Sequence, residues 1–344
     1  MNGFVALADG TVWRGESVGA DGVACGEAVF TTGMSGYQEA VTDPSFAEQV
    51  ICFTAPMVGN YGVAETRDES AHAQARAVLM REARGPEWTD WLRERGVVGL
   101  TGIDTRSLVL HLRERGAMQA CVVGGEHDVD KAVRIAASQP DMAGRALVDG
   151  VSTGQVYEFT AEGRARIAVV DYGVKRSVLK RLANARAHVT VFPHDADADE
   201  LARYDGVLLS PGPGDPAPLV EQTKTVEALL GRTNVFGICL GHQLIAQATG
   251  HETFKLPFGH RGINHPVLHK ESGTVLVTSQ NHGFAVRAAG TETSHISLYD
   301  ETVEGLEYPE LRARSIQFHP EAGPGPHDAY SLIDRWVDQV ADDA

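Results

Sequence analysis

A cysteine flanked by glycines is the residue of this chain whose setting points most clearly to chemistry. Cys239 lies in the run Gly237–Gly241 (GICLG), directly after the apolar pair Val235 and Phe236. Glycines on both sides of a thiol are typical of a nucleophile on a sharp turn from strand to helix, because Cβ atoms there would block the turn and the approach of a substrate. The sulfur is then expected at a helix N-terminus, where unpaired amides and the helix dipole favour thiolate over thiol.

A histidine and a glutamate two residues apart supply the remaining groups for acyl transfer: His319 and Glu321. Side chains at this spacing project to the same side of an extended segment, so one loop is expected to supply both. In the predicted reaction Cys239 attacks a carbonyl, His319 moves the proton to the leaving amine and Glu321 orients the imidazole. The oxyanion needs amide donors, and the candidates are the Leu240 amide and one from the turn Gly212–Gly214.

The elements that must position these residues are predicted from residue 167 onward. Apolar runs alternate there with helical stretches, which indicates an α/β domain with a doubly wound, mostly parallel sheet. Loops at the carboxyl ends of such strands form the ligand crevice, and both Cys239 and the glycine-rich loop Ser210–Pro216 fall at strand ends. The predicted strands are Ile167–Val170, Val189–Phe192, Val207–Leu209 and Val235–Ile238, and the predicted helices are Lys175–Ala187, Leu219–Leu230 and Gly241–Ala248.

The first third of the chain predicts a separate α+β domain. Short apolar runs interrupted by turn pairs predict strands, and two stretches that end at glycines predict helices. Residues 138–166 mix Pro, Gly and charged residues with little periodicity. We therefore predict domains over 1–145 and 167–344 with a connection over 146–166. The strands expected in the first domain are Phe4–Leu7, Ala28–Phe30 and Val50–Phe53, and the helices are Glu87–Arg95 and Asp104–Arg115.

Composition narrows the function classes. The 344 residues carry a formal net charge of −16, and so acidic a chain is not expected to bind nucleic acid or an anionic membrane. No signal peptide and no membrane span are expected. The four cysteines lie far apart, which predicts neither a disulfide framework nor structural zinc and favours the reducing cytoplasm. Three of them are expected to be small buried residues: Cys25, Cys52 and Cys121.

Metal and nucleotide sites are not expected in this chain. Several histidines lack cysteine or carboxylate partners at ligand spacing and are expected to hold loops by hydrogen bonds: His242, His260, His265 and His282. The loop Ser210–Pro216 (SPGPGDP) lacks the Lys and the Ser or Thr of a phosphate loop. No ATP site is therefore predicted in that loop.

Longer runs of residues resemble a known family. Gly237–Gln243 (GICLGHQ) and His319–Glu321 (HPE) are similar to the class I glutamine amidotransferases, which hydrolyse glutamine and pass ammonia to a synthase. Further runs resemble the small subunits of carbamoyl-phosphate synthetase and extend the likeness over nearly the whole chain: Met34–Glu39, Thr42–Ser45, Gly102–Arg106, Gly116–Met118, Phe258–Pro266, Gln280–Phe284 and Gly323–Asp328.

The resemblance implies a partner and a set of glutamine contacts. The implied partner is a large subunit that uses ATP and Mg to make carbamoyl phosphate from bicarbonate and ammonia, for pyrimidine and arginine synthesis, while this subunit needs no cofactor. Carried over, the glutamine-binding positions are Ser45, Gly212, Gly214, Leu240, Gln243, Asn281, Gly283 and Phe284. Backbone groups dominate this set, as fixed donors and acceptors suit the charged ends of glutamine. Pro211 stands where many family members have Asn, and proline offers no amide donor.

Two alternative functions stay open at this point. A different amidotransferase partner, such as an anthranilate or aminodeoxychorismate synthase, is disfavoured by the leading domain, because those glutaminase subunits usually consist of the triad domain alone. A silent scaffold that only binds a partner is disfavoured by the intact set Cys239, His319 and Glu321. Labelling of Cys239 by a glutamine-like diazoketone would separate the scaffold from the enzyme.

Overall fold

The computed structural model describes residues 2–125, 128–287 and 290–344. The chain forms two compact units, one of Met1–Met142 with Pro257–Gly262 and the other of Ala143–Leu256 with Ile263–Ala344. The linear domain limits given above stay a prediction, and they did not include the return of residues 257–262 to the first unit.

The first unit contains a closed sheet, which has seven strands within the described residues. The strands are β1 (Asn2–Leu7), β2 (Val12–Ser17), β3 (Gly22–Thr31), β4 (Gln49–Phe53), β5 (Ala77–Leu79), β6 (Val98–Thr101) and β7 (Met118–Gly124). Their order is β1, β2, β6, β5, β4, β3, β7, and β7 pairs back with β1. The helices are α1 (Tyr37–Thr42), α2 (Pro86–Glu94), α3 (Thr105–Arg115) and α4 (Val129–Ser138).

Alternation along β1 explains how this sheet is packed on both faces. Val5 and Leu7 belong to the apolar cluster that includes residues of α3, whereas Phe4 and Ala6 belong to the cluster that includes residues of α4. Successive strand side chains point to opposite faces, so one short apolar run serves two cores. Helix α3 begins where the sequence predicted, because the Asp104 carboxylate accepts a hydrogen bond from a first-turn amide.

The expectation of separate buried cysteines is wrong for two of them. Cys25 on β3 and Cys121 on β7 are direct partners in the antiparallel register, and they form a disulfide. The sequence could not reveal this pairing, because 96 residues separate the two cysteines and only strand register brings them together. Cys52, in contrast, is a buried free thiol on β4, as predicted.

The second unit is built on a ten-stranded sheet within the described residues. Its strands are β8 (Tyr157–Thr160), β9 (Ala165–Asp171), β10 (Ala187–Pro193), β11 (Gly206–Leu209), β12 (Asn234–Ile238), β13 (Thr253–His269), β14 (Val275–Val286), β15 (Thr293–Ser297), β16 (Val303–Tyr308) and β17 (Ala313–Ile316). The helices are α5 (Arg176–Asn184), α6 (Ala198–Leu201), α7 (Val220–Leu229), α8 (Leu240–Ala248) and α9 (Tyr330–Asp343).

A parallel core runs through the middle of this sheet in the order β10, β9, β11, β12, β17. Its strands are buried on both faces: Ile167 and Val169 of β9 join the cluster with residues of α5 and α9, and Ala168 and Val170 join the cluster with residues of α7 and α8. This confirms the predicted doubly wound core. The antiparallel strands β13 to β16, which extend the sheet on one side, were not predicted.

None of the helices in the described part of the chain is both long enough and apolar enough to cross a membrane.

Candidate active site

Cys239 stands between β12 and α8 on the sharp turn that the glycines predicted. Its φ of 54° and ψ of −102° are a backbone conformation that a residue with a side chain rarely adopts. A Cβ on Gly237 would lie 2.5 Å from the Gly241 carbonyl oxygen, and a Cβ on Gly241 would lie 2.2 Å from the carbonyl oxygen of Leu209. Both glycines are therefore required by close backbone approach.

Neighbouring strands hold the turn in place. The Cys239 amide donates to the Ile316 carbonyl of β17 at 2.9 Å, and the Gly241 amide donates to the Ser210 carbonyl at 3.2 Å. The Cys239 thiol is buried and donates to the Asn281 carbonyl of β14, with 3.7 Å between Sγ and the oxygen. Cys239 is thus tied to the parallel core on one side and to the antiparallel extension on the other.

His319 and Glu321 meet as predicted, although the local backbone differs from the prediction. His319 Nδ1 lies 2.7 Å from Glu321 Oε1, and both residues are buried. Strand β17 ends at Ile316, and Glu321 lies in a turn rather than in an extended segment. The His319 amide donates to the Ser279 carbonyl at 2.9 Å, which fixes the position of the turn.

A buried lysine that the sequence analysis missed completes the array. Lys175 Nζ lies 2.7 Å from Glu321 Oε1, the same oxygen that contacts the histidine, and the Lys175 side chain is only 2% exposed. The predicted helix Lys175–Ala187 instead covers Arg176–Asn184, and Lys175 is its N-cap residue. The Asp171 carboxylate shapes the preceding loop by accepting from the Gly173 amide at 2.9 Å and from the Val174 amide at 2.7 Å. A lysine directly after the first parallel strand was the available signal.

The charges of this array reinforce one another. Burial alone would raise the pKa of Glu321, but the Lys175 ammonium and His319 outweigh burial and hold that pKa well below its usual range. Burial alone would lower the pKa of His319, but the Glu321 carboxylate, which also forms a hydrogen bond with His319, and the nearby Cys239 side chain raise it to about 10. At neutral pH the array therefore holds a protonated His319 ring between the Glu321 carboxylate and Cys239 Sγ.

The free ring nitrogen of His319 is placed for proton transfer. His319 Nε2 is buried and takes part in no hydrogen bond of standard geometry among the described residues, whereas Nδ1 is held by Glu321. The Cys239 side chain lies close enough to affect the His319 pKa. The arrangement can therefore pass a proton between a sulfur-bound group and Nε2 while the carboxylate keeps the ring oriented.

Several of the predicted glutamine positions in the second unit contact the thiol, the residue next to it or one another. Gly212 lies against Leu240, since a Cβ on Gly212 would be 2.8 Å from Leu240 Cδ2. The side-chain amide of Gln243 donates to the Phe284 backbone carbonyl at 2.8 Å. The backbone carbonyl of Asn281 contacts the Cys239 thiol, as described above. The two segments proposed for the oxyanion hole are adjacent, and their role there stays a prediction.

Three further predicted glutamine positions are Gly214, Gly283 and Ser45. Gly214 has a φ of +91° in the turn after Gly212, and Gly283 lies on β14 two residues after Asn281. Ser45 belongs to the first unit, where its amide donates to Asp43 Oδ1 at 2.9 Å. Ser45 Oγ is buried and forms no hydrogen bond among the described residues.

His242 behaves as the structural histidine that the sequence predicted. Its Nδ1 lies 2.8 Å from Ser315 Oγ, so it links α8 to β17 behind the nucleophile. Burial lowers the pKa of His242 to about 3, which keeps the ring neutral. The prediction that the chain binds no metal stays a prediction.

A parallel sheet that carries a thiol at a strand-to-helix turn, beside a buried histidine and carboxylate, is the arrangement expected of a class I glutamine amidotransferase. The family model described as "Glutamine amidotransferase class-I" matches residues 168–339. The model described as "Carbamoyl-phosphate synthase small chain, CPSase domain" matches residues 5–122. The chain belongs to the family of carbamoyl-phosphate synthase small chains, and its second unit carries the glutamine amidotransferase domain.

Similar proteins cover almost the full length. The carbamoyl phosphate synthase small chain of Syntrophotalea carbinolica is 41% identical over 98% of this chain and 97% of that protein. The one of Streptococcus agalactiae is 40% identical over 99% of each. Among solved structures, a glutamine amidotransferase from Thermotoga maritima is 18% identical, with a TM-score of 0.39, over 46% of this chain and 76% of that one.

Proposed function

We propose that this chain hydrolyses glutamine to glutamate through a thioester on Cys239 and delivers the ammonia to a carbamoyl-phosphate synthetase large subunit. The observation that carries the proposal is a buried thiol at positive φ beside the His319–Glu321 pair. The membership of the chain in the small-chain family supports the same reading.

The reaction begins with attack of the Cys239 thiolate on the side-chain carbonyl carbon of glutamine. The tetrahedral intermediate collapses to a γ-glutamyl thioester when the C–N bond breaks, and ammonia leaves with a proton from His319. The raised pKa of His319 supports this first role as an acid. His319, now neutral, then takes a proton from water, which attacks the thioester and releases glutamate and the thiolate.

Glu321 and Lys175 act on the histidine. Because Glu321 Oε1 holds Nδ1, Nε2 remains the nitrogen that exchanges the proton. Lys175 keeps the buried carboxylate charged, and a buried carboxylate without this partner would tend to take up a proton. Neither residue is proposed to touch the reacting atoms.

The remaining steps belong to the partner in this proposal. The large subunit would use ATP and Mg to convert bicarbonate and the delivered ammonia into carbamoyl phosphate, for pyrimidine and arginine synthesis, and this chain would need no cofactor of its own. The family membership supports the partner assignment. The cytoplasmic location stays a prediction, and the Cys25–Cys121 disulfide removes the cysteine argument for it.

Glutamate release tests the proposed function directly. We would measure it with the full chain, with and without a carbamoyl-phosphate synthetase large subunit plus ATP and bicarbonate, and with Cys239→Ala as the control. Release that depends on Cys239 and rises with the large subunit is expected. If the rate of glutamate release is the same with and without the large subunit, the proposed partner is wrong. If the complex forms but releases no glutamate, the silent scaffold is favoured.

A further inference from the structure

The side-chain amide of Gln243 has a fixed polarity. Its Nε2 lies 2.8 Å from the Phe284 carbonyl oxygen and 3.0 Å from Gln317 Oε1, and both are acceptors. A carboxamide nitrogen carries two hydrogens, so these two contacts use both donors. Among the described residues no hydrogen bond reaches Gln243 Oε1, and that oxygen is not among the fully buried polar atoms that lack a partner. The oxygen is the atom of Gln243 left for a ligand.

Gln317 is held firmly enough to set this polarity. Its side chain is fully buried, and its backbone amide donates to the Glu304 backbone carbonyl of β16 at 2.9 Å. Its own Nε2 is buried and has no hydrogen-bond partner among the described residues. The one hydrogen bond of the Gln317 carboxamide is therefore the one that its oxygen accepts from Gln243.

Rotation of the Gln243 amide by 180° is disfavoured by both neighbours. It would turn Oε1 toward the Phe284 carbonyl oxygen, which can only accept, and toward the oxygen of Gln317. Rotation of Gln317 as well would remove only the second conflict. The two acceptors thus act together, and Gln317 supplies the part that comes from a side chain and can be changed by mutation.

We propose that Gln317 is a positioning residue that makes the site select for the α-ammonium group of glutamine, by holding Gln243 Oε1 toward the substrate. An oxygen that can only accept pairs with the ammonium, which only donates, and not with the α-carboxylate, which only accepts. This inference rests on the proposed glutaminase function and on the glutamine-binding role of Gln243. Gln317 itself acts only through Gln243 and does not touch the substrate.

The test compares glutamine with glutaramate, the analogue that lacks the α-amino group, in the complex with the large subunit. For Gln317→Met, kcat/KM for glutamine is expected to fall about tenfold through KM, while kcat/KM for glutaramate changes by less than about twofold, since one hydrogen bond is removed. The ratio of the two values does not depend on the folded fraction of the enzyme. Partial unfolding of the variant therefore cannot imitate the result.

Three further variants make the outcome decisive. Gln280→Met is the matched control, because Gln280 is also buried but bonds to Thr278 and Glu304, and its ratio is expected to match the wild type. Gln317→Glu keeps an oxygen that accepts from Gln243, although it replaces the unused NH2 donor by a second oxygen and can add a negative charge, so its ratio is expected to lie closer to the wild type than that of Gln317→Met. In a Gln243→Met background, Gln317→Met is expected to lower the ratio no further.

Specific results would overturn the inference. They are an unchanged ratio in Gln317→Met, an equal loss on both substrates, which would mean a purely structural role, and a further loss in the Gln243→Met background. Failure of the proposed function would look different, because the wild-type complex would then release no glutamate in a Cys239-dependent way.

Discussion

The two free cysteines of this chain lie in different units and are both buried, yet their surroundings differ in every respect that matters for reactivity. Cys52 sits in the regular strand β4, where burial raises its pKa to about 12. Cys239 sits at positive φ at the start of a helix, with His319 beside it and the Asn281 carbonyl within contact. Burial alone therefore does not determine the reactivity of a thiol. The backbone conformation and the neighbouring charges decide it.

The difference between the two cysteines is tested most directly by removing each thiol in turn. In the complex, Cys239→Ala is expected to lower glutamine-dependent turnover by roughly 10⁴-fold or more, because the nucleophile is lost, while ammonia-dependent synthesis persists. Steady-state assays with each nitrogen source measure both activities. Retained glutamine-dependent turnover in Cys239→Ala would remove the thiol from the mechanism.

His319→Asn tests whether the neighbour of Cys239 supplies the proton. Thioester formation is expected to slow by about 10²- to 10⁴-fold, the usual contribution of a general acid or base. A single-turnover experiment with rapid acid quench measures this step apart from product release. A wild-type rate of thioester formation would exclude His319 from proton transfer.

Lys175→Met tests the electrostatic part of this difference, because it removes the positive charge that pairs with Glu321 in the array around Cys239. Loss of one partner leaves a buried carboxylate uncompensated, so the free energy of unfolding is expected to fall by about 3–5 kcal/mol in urea denaturation. Lys224→Met is the matched control, because Lys224 pairs with Glu221 in solvent and little change is expected. Equal effects of the two variants would show that the buried pair is not special.

The raised pKa of His319 predicts a pH dependence of stability that begins at a lower pH than the one expected from Cys52. A group whose pKa is higher in the folded state stabilises the fold fully below its unfolded pKa, about 6.5 for histidine, and the contribution is lost as pH rises toward about 10. The stability difference between wild type and His319→Asn is therefore expected to shrink between these two pH values. Denaturant titrations across that range measure it, and a difference that grows with pH would contradict the charge assignment.

Cys52→Ala is expected to have the smallest effect on catalysis. Turnover with glutamine should stay within about twofold of the wild type, because a buried thiol with a raised pKa is a poor nucleophile and Cys52 has no role in the proposed mechanism. The same steady-state assay used for Cys239→Ala gives this value. A large loss of glutamine turnover with intact folding would show that the two thiols cannot be separated as described.

Local causes made part of this structure predictable from sequence. The glycines around Cys239 and the apolar runs of the parallel core act within a few residues, so the turn and the strands could be read directly. His319 and Glu321 also meet as predicted, although the segment that carries them turns and is not extended as the prediction assumed.

Features that depend on distant pairing could not be predicted in the same way. Lys175 is buried in an ion pair with Glu321, which comes much later in the chain, and charged side chains are rarely buried without such a partner. The Cys25–Cys121 disulfide follows from strand register. The contact of Gln317 with Gln243 joins the segment after β17 to α8. No local sequence pattern predicts this contact.

The measurement that tests the account most directly is detection of the γ-glutamyl thioester. The complex would be mixed with glutamine, quenched in acid, digested and analysed by mass spectrometry. We expect one γ-glutamyl group on the peptide that contains Cys239, and we expect no such group in the Cys239→Ala variant. Steady release of glutamate with no adduct at Cys239, or with an adduct on another residue, would contradict it.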